Sequence, residues 1–206
     1  MSNNLLNERQ MATSLRDIEI SHITRYMFAV PFVKEGDFVL DACCGTGYGV
    51  RILTDFTKAS FVYGFDASRE AIELGRRHFN SELFLNSFED FETTGPYDVI
   101  TCFEAIEHIL EPEKLIEKLA SWLAPGGKLI ISTPNEAMMP WSKSRFPEHI
   151  QHFTFNQLRD MLRAVGFTTF RMFNQQKFIS CINNGIMGKF IILVCERDNE
   201  GIPKNI

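Results

Sequence analysis

Two glutamates and a histidine, Glu104, Glu107 and His108, occupy positions i, i+3 and i+4 of the chain. A helix would place their side chains on one face. Imidazole titrates near neutral pH, so His108 suits proton transfer from a substrate hydroxyl, with Glu104 facing the reacting group. His152 is the third predicted catalytic residue and would close the site from the lid. With His152 added, two carboxylates and two imidazoles make a donor set for Mg, Mn or Zn, although we favour the metal-free version. The alternative is structural: Glu107 is solvated and His108 caps or packs the helix start.

A glycine-rich turn follows an apolar run that contains an acid. The run Phe38–Ala42 includes Asp41, glycines stand at positions 45, 47 and 49, and a helical pattern begins at Tyr48. This order predicts a strand, a tight turn and the N-terminus of a helix. Glycines let the backbone approach a ligand closely, and the helix end offers N–H groups. The turn alone is also consistent with a strand-to-helix connection that binds nothing.

The acid Asp66 ends the next apolar run, Phe61–Asp66, and strengthens the case for a ligand. A carboxylate at the tip of the neighbouring parallel strand can accept both hydroxyls of a ribose. Ser68 can cap the following helix in its place. Together the two segments predict a cofactor that carries an adenosine. A dinucleotide is disfavoured because the G-x-G-x-x-G pattern needs glycine at position 50, where this chain has Val50.

The turn resembles the G-x-G-x-G turn of class I S-adenosylmethionine-dependent methyltransferases. Segments 97–108, 123–135 and 149–154 are also similar to this family and follow in its order. The resemblance covers most of the chain and implies S-adenosylmethionine as the cofactor. It also implies a Rossmann-like, doubly wound α/β fold with a seven-stranded sheet whose last strand is antiparallel.

The same resemblance assigns the cofactor contacts. It places Arg25 at the methionine carboxylate, Ser87 at the adenine amino group, and Phe88 beside the ring through its N–H and an apolar wall. Ser87 stands where the family usually has Asp, so Glu89 is an alternative there. The complete predicted set is Arg25, Asp41, Gly45, Thr46, Gly47, Tyr48, Asp66, Ala67, Ser87, Phe88 and Phe103.

Helical and strand patterns alternate along the chain. Helices are predicted at 18–30, 48–56, 68–79, 112–123 and 155–165, and strands at 38–42, 61–66, 83–85, 97–102, 128–133, 168–174 and 189–196. No helical pattern separates the last two strands, so we expect them to pair antiparallel. We predict one methyltransferase domain over residues 1–206, with a loose N-terminal segment at 1–17 and a substrate lid at 135–152.

Composition limits the partners. A formal net charge of −5 weighs against a broad nucleic-acid grip, although a local basic patch would remain compatible with it. The start of the chain lacks the apolar stretch of a signal peptide, and no late apolar run could span a bilayer. Five cysteines without paired spacing predict reduced thiols in a cytoplasmic protein. We expect a monomer or homodimer that acts on a small-molecule or glycan acceptor and not on a membrane.

Missing motifs narrow the chemistry. The fourth strand ends in Cys102-Phe-Glu-Ala, whereas amino-methyltransferases of the family carry an Asp/Asn-Pro-Pro-aromatic run there. No Pro is followed by Cys, as cytosine-C5 methylation would need, and the Tyr-x-x-x-Lys pair of short-chain dehydrogenases is missing. O-methylation of a small-molecule or sugar hydroxyl is therefore the predicted activity.

Two alternatives remain. Glu-x-x-Glu-His occurs in ubiquinone-pathway O-methyltransferases and also in metal-dependent small-RNA 2′-O-methyltransferases. Segments 25–29 and 103–109 resemble most closely a bacterial and phage group that sits near glycan genes. An RNA 2′-O-methyltransferase that holds a metal through Glu104, Glu107, His108 and His152 is the first alternative. A non-catalytic subunit that binds S-adenosylmethionine is the second.

Overall fold

A computed structural model describes residues 10–93, 95–176 and 181–197. The helices are α1 (Ile20–Ala29), α2 (Tyr48–Phe56), α3 (Arg69–His78), α4 (Pro112–Trp122) and α5 (Phe155–Ala164). The strands are β1 (Phe38–Ala42), β2 (Phe61–Asp66), β3 (Leu83–Leu85), β4 (Tyr97–Phe103), β5 (Leu123–Pro134), β6 (Phe167–Gln175), β7 (Ile182–Asn184) and β8 (Phe190–Arg197).

The strands of the described residues form one mixed eight-stranded sheet with the order β3-β2-β1-β4-β5-β8-β6-β7. Strands β1 to β5 pair in parallel, and β8 runs antiparallel to both of its neighbours, β5 and β6. The predicted doubly wound sheet with an antiparallel last strand is confirmed. It has one strand more than predicted because the short β7 pairs with the end of β6.

Helices cover both faces of this sheet. Helices α1, α2 and α3 pack on one face, against side chains such as Val39 and Val99. Helices α4 and α5 pack on the other face, against side chains such as Leu40 and Ile100. Burial on both faces explains why the central strands read as almost continuous apolar runs. No helix in the described ranges is long and apolar enough to cross a bilayer.

Local capping fixes where two of the helices begin. The Ser68 hydroxyl accepts the N–H of Ala71 at the start of α3. Thr154 and Gln157 form a reciprocal capping box at the start of α5. Gly166, with φ +94°, follows the end of α5 and turns the chain into β6. These caps hold the loops at the carboxyl edge of the sheet in a defined register.

The N-terminal segment and the long loop were predicted as irregular. Of the segment 1–17, residues 1–9 lie outside the described residues, and Leu15–Asp17 form a short 3-10 helix. The loop 135–152 contains neither an α-helix nor a strand, and local backbone bonds such as Met139 N–H to Asn135 O hold it. Its action as a lid stays a prediction.

Candidate active site

A cavity of about 400 Å³ opens at the carboxyl end of the parallel strands, where the sheet order reverses around β1. Six of the predicted cofactor residues line it: Gly45, Thr46, Tyr48, Asp66, Ala67 and Phe103. Three of the predicted catalytic or metal residues line it too: Glu104, Glu107 and His108. One cavity therefore joins the two groups of residues that the sequence singled out separately.

The glycine-rich turn after β1 presents backbone to this cavity. Gly45 and Gly47 have φ of +57° and +73°, in the left-handed region that favours glycine. A Cβ on Gly47 would lie 2.5 Å from Leu83 Cδ2, whereas a Cβ on Gly45 would meet no heavy atom within 4 Å. The left-handed backbone and the close Leu83 side chain thus both favour glycine at position 47, and Gly45 leaves open space for a ligand.

Two side chains at the turn fit an adenosine-bearing cofactor. The Asp66 carboxylate accepts the N–H of Gly45 at 2.9 Å and that of Ser68 at 2.8 Å, which holds it at the cavity edge. The Thr46 hydroxyl is buried and has no hydrogen-bond partner in the part of the chain that the structure describes. A fixed acceptor and an unsatisfied hydroxyl therefore stand beside the exposed backbone of Gly45.

Asp41 lies beneath the cavity and does not line it. Its carboxylate accepts the hydroxyl of Thr101 at 2.7 Å and that of Tyr26 at 3.0 Å. Burial raises the pKa of Asp41 to about 7, although both hydroxyls act to lower it. Tyr26 itself lines the cavity and separates Asp41 from it, so a role of Asp41 in cofactor binding stays a prediction.

Replacing Asp41 with asparagine is expected to change how stability depends on pH. The native pKa of about 7 lies above 3.8, the usual pKa of an aspartate side chain, so the native state holds the proton more tightly. Protonated Asp41 therefore stabilises the native state at low pH. This contribution to the free energy of unfolding is lost as pH rises towards 7, by up to about 4 kcal/mol. Asp41→Asn cannot ionise and should gain stability relative to the wild type from pH 5 to pH 8, as measured by urea unfolding. A difference that stays constant over this range would contradict the assignment.

The Arg25 side chain packs against β6 and β8. Its side chain is fully buried, one guanidinium nitrogen donates to Gln175 Oε1 at 2.8 Å, and the group lies 4.9 Å from the Phe190 ring centre. The other two guanidinium nitrogens have no hydrogen-bond partner among the described residues. Arg25 does not line the cavity, and its contact with the methionine carboxylate stays a prediction.

The predicted adenine contacts also lie outside the cavity wall. The Phe88 side chain is buried in the hydrophobic core together with Phe91, on the sheet face that α4 and α5 cover. The Ser87 hydroxyl donates to Asp90 Oδ2 at 3.0 Å. Contact of the Phe88 N–H, Ser87 or Glu89 with the adenine stays a prediction.

Glu104, Glu107 and His108 reach the cavity without sharing a helix. Glu104 has φ +50° and precedes a single 3-10 turn, Ile106–His108. The Glu104 N–H donates to Ser132 O at 3.1 Å, which extends the β4–β5 pairing past the end of β4. The left-handed backbone of Glu104 and this bond keep the residue outside the 3-10 turn, so the predicted shared helix face does not form.

The carboxylate of Glu107 is the least satisfied acid of the site. Its side chain is fully buried, Oε2 accepts the Thr133 hydroxyl at 3.0 Å, and Oε1 has no partner in the described parts of the chain. Burial and the nearby Glu104 raise the pKa of Glu107. The alternative of a solvated Glu107 is therefore wrong. An unpaired buried carboxylate oxygen needs a proton, a donor from a ligand, or a cation.

A histidine that the sequence argument missed, His149, completes the group. Glu107, His108 and His149 each offer one ligand atom, and these atoms lie within 4.8 Å of one another. The His149 ring is 4.7 Å from the His108 ring and stacks on Phe146 at 5.3 Å. Burial, His108 and His152 lower the pKa of His149 to about 3. The signal was in the sequence, since His149 and His152 stand in one His-x-x-His pair.

The His152 side chain lies behind His149 as seen from the cavity. Its Nε2 lies 2.6 Å from Nδ1 of His149, and it is not part of the cavity wall. A backbone hydrogen bond explains why His149, and not His152, lines the cavity. The Ile150 N–H donates to Glu107 O at 2.9 Å and so brings His149 to the cavity. The predicted metal set was Glu104, Glu107, His108 and His152. The residues whose possible ligand atoms lie together in the structure are Glu107, His108 and His149.

The parallel sheet closed by an antiparallel strand, the glycine-rich turn and the acid on β2 together define a class I methyltransferase fold, whose cofactor is S-adenosylmethionine. A family model described as a methyltransferase domain matches residues 11–171, and the chain belongs to this family.

Two relatives carry the name ubiquinone biosynthesis O-methyltransferase. The Coxiella burnetii protein is 32% identical over 107 residues, which cover 49% of this chain and 45% of the relative. The mitochondrial protein of Saccharomyces cerevisiae is 26% identical over 162 residues, which cover 75% of this chain and 50% of the relative. The matched regions thus span about half the length of these relatives.

Solved structures show the same fold at low identity. The methyltransferase of a Haloferax volcanii complex with the Trm112 methyltransferase activator has a TM-score of 0.71 at 16% identity, over 89% of this chain and 93% of that one. The N-methyltransferase NodS of Bradyrhizobium japonicum, in complex with S-adenosyl-L-homocysteine, has a TM-score of 0.67 at 16% identity, over 94% of this chain and 96% of that one.

Proposed function

We propose that this protein is an S-adenosylmethionine-dependent O-methyltransferase whose acceptor is the hydroxyl of a small molecule or sugar. The observation that carries the proposal is the single cavity that connects the Gly45 turn and Asp66 with Glu107, His108 and His149. The names of the ubiquinone-pathway relatives support oxygen as the methylated atom.

The residues divide into a cofactor half and an acceptor half. The Gly45 backbone, the Thr46 hydroxyl and the Asp66 carboxylate would hold the adenosine and ribose. The cofactor, when bound, supplies an electrophilic methyl group. The acceptor hydroxyl would lie beside His108 and His149, so that its oxygen lines up with the methyl carbon.

A base in the acceptor half of the cavity must take up the proton of the acceptor hydroxyl. The Nδ1 of His108 lies 3.0 Å from the Glu148 carbonyl oxygen, which only accepts, so a neutral His108 carries its proton there. Its Nε2 is then the basic nitrogen. Glu107 is close enough to stabilise the imidazolium that forms, because its carboxylate and the two rings share one 4.8 Å group.

A divalent ion at the same residues is a second candidate for this step. It is favoured by one observation, the unsatisfied Oε1 of Glu107 next to two imidazoles. One carboxylate and two histidines suit several first-row divalent metals. Such an ion would lower the pKa of the acceptor hydroxyl and replace the histidine as the activator of oxygen. An RNA 2′-O-methyltransferase would use this version.

A screen for S-adenosylhomocysteine release tests the proposal. The protein, incubated with S-adenosylmethionine and a panel of phenols, sugars and RNA oligonucleotides, is expected to turn over with a small hydroxyl acceptor and not with RNA. Asp66→Ala serves as the background control. The measurement is repeated after dialysis against EDTA, with metal content determined in parallel.

The outcomes separate the candidates. Turnover that survives EDTA supports a histidine base, and turnover restored only by Mg, Mn or Zn supports the metal version. Turnover with RNA alone would favour the first alternative. Tight cofactor binding with no release of S-adenosylhomocysteine on the whole panel would favour the non-catalytic subunit and contradict the proposal.

A further inference from the structure

Two histidines and a backbone carbonyl form a continuous hydrogen-bonded chain behind the cavity wall. The Nδ1 of His152 lies 2.7 Å from the carbonyl oxygen of Met139. The Nε2 of His152 lies 2.6 Å from the Nδ1 of His149. The His152 side chain has no exposed surface, whereas His149 lines the cavity. Any influence of His152 on a bound acceptor therefore passes through His149.

When both rings are neutral, these hydrogen bonds allow only one placement of the protons on the ring nitrogens of His149 and His152. A carbonyl oxygen only accepts hydrogen bonds, so the proton of His152 sits on Nδ1. The Nε2 of His152 is then an acceptor, and the Nδ1 of His149 must donate to it. The remaining nitrogen of His149, Nε2, is the one without a proton.

The charges next to His152 favour the same proton position. The charged groups around His152 are Glu136, Glu104 and Arg145. The Glu136 carboxylate lies 3.9 Å from the Nδ1 of His152, on the side where Met139 accepts. A negative charge there favours the proton on Nδ1, in agreement with the carbonyl.

We propose that His152 is a positioning residue: it keeps the Nε2 of His149 unprotonated, in the ring that lies together with Glu107 and His108. The consequence for catalysis rests on the proposed function. A proton acceptor and a metal ligand both need an unprotonated nitrogen, so either version of the reaction depends on this arrangement. Without an acceptor on His152, the His149 proton would be able to move to Nε2 and block both roles.

Nitrogen chemical shifts of the imidazoles report the proton position directly and need no methyl acceptor. The chain has five histidines, so a ¹⁵N-histidine-labelled sample gives a simple spectrum, and His149→Gln identifies the His149 signals. The full chain is measured metal-free at pH 7. The wild type is expected to show His149 protonated on Nδ1.

Two variants of His152 make a matched pair. In His152→Gln the amide oxygen can accept from His149 and the amide N–H can donate to Met139, so the Nδ1-protonated form of His149 should persist. His152→Phe offers no acceptor, and His149 should shift towards the Nε2-protonated form. A wild type with His149 protonated on Nε2, or a His152→Phe spectrum with an unchanged His149, would overturn the proposal. If His152→Phe does not fold, the wild type and His152→Gln decide it.

Activity gives a second readout once the screen has found an acceptor. The turnover number of His152→Gln should stay within about threefold of the wild type, and that of His152→Phe should fall by about 10–100-fold with an unchanged Kd for S-adenosylmethionine. The nitrogen shifts hold whether or not an acceptor is found. A screen without turnover would count against the proposed function, whereas a wrong proton position would count against the role of His152.

Discussion

His108→Ala and His149→Ala are each expected to lower the turnover number by about 10²–10⁴-fold. Each variant removes one of the two imidazoles that stand with Glu107 at the acceptor end of the cavity. The cofactor end, at Gly45 and Asp66, is left intact, so the Kd for S-adenosylmethionine should change by less than about twofold. Initial rates of S-adenosylhomocysteine release and calorimetric titration measure the two quantities separately.

His78→Ala is the matched control, because His78 is an exposed histidine in the last turn of α3. Its turnover number should equal that of the wild type. Thermal unfolding of all three variants shows whether the buried His149 also contributes to stability. Full turnover in both His108→Ala and His149→Ala would mean that the histidine group is structural and that the base lies elsewhere.

The elements around the cofactor could be predicted almost residue by residue. The bounds of β1, α2, β2 and β3 agree with the sequence patterns, because each apolar run is delimited by glycines, an acid or a capping serine. Such signals are local, since the backbone conformation of Gly47 and the cap of Ser68 depend on the residues next to them. Local signals therefore located the turn and Asp66 correctly.

The acceptor side could not be predicted in the same way, because tertiary hydrogen bonds decide it. His149 and His152 are equivalent in the sequence pattern, and the bond from Ile150 N–H to Glu107 O selects His149 for the cavity wall. In the same way, the bond from Glu104 N–H to Ser132 O prevents the helix that the spacing suggested. Both bonds join segments far apart in the chain, which no periodicity reveals.

The sequence also does not reveal where the large side chains of Phe88 and Arg25 pack. Phe88 follows β3 where the family places its adenine contacts, but its ring is buried in the core together with Phe91. Arg25 lies on α1, and its guanidinium is buried against Gln175 and Phe190. Burial of large side chains follows the space available in the whole fold, and sequence spacing does not report that space.

Asp66→Ala is expected to weaken binding of S-adenosylmethionine by about 2–3 kcal/mol, which is about 30–150-fold in Kd. The variant removes a charged acceptor from the two ribose hydroxyls that we place there. It also removes the acceptor of the Gly45 and Ser68 N–H groups, so a rearranged turn is a competing cause. Asp55→Ala, which removes an exposed carboxylate paired with Arg51 on α2, is the control and should bind as the wild type does.

A double-mutant cycle separates ribose recognition from a rearranged turn. The wild type and Asp66→Ala are each titrated with S-adenosylhomocysteine and with its 2′-deoxy and 3′-deoxy analogues. If the carboxylate accepts the hydroxyls, loss of a hydroxyl weakens binding to the wild type but has little further effect on Asp66→Ala. Equal losses in both proteins would show that Asp66 only supports the Gly45 turn, and tighter binding of NADH than of S-adenosylmethionine would overturn the cofactor assignment.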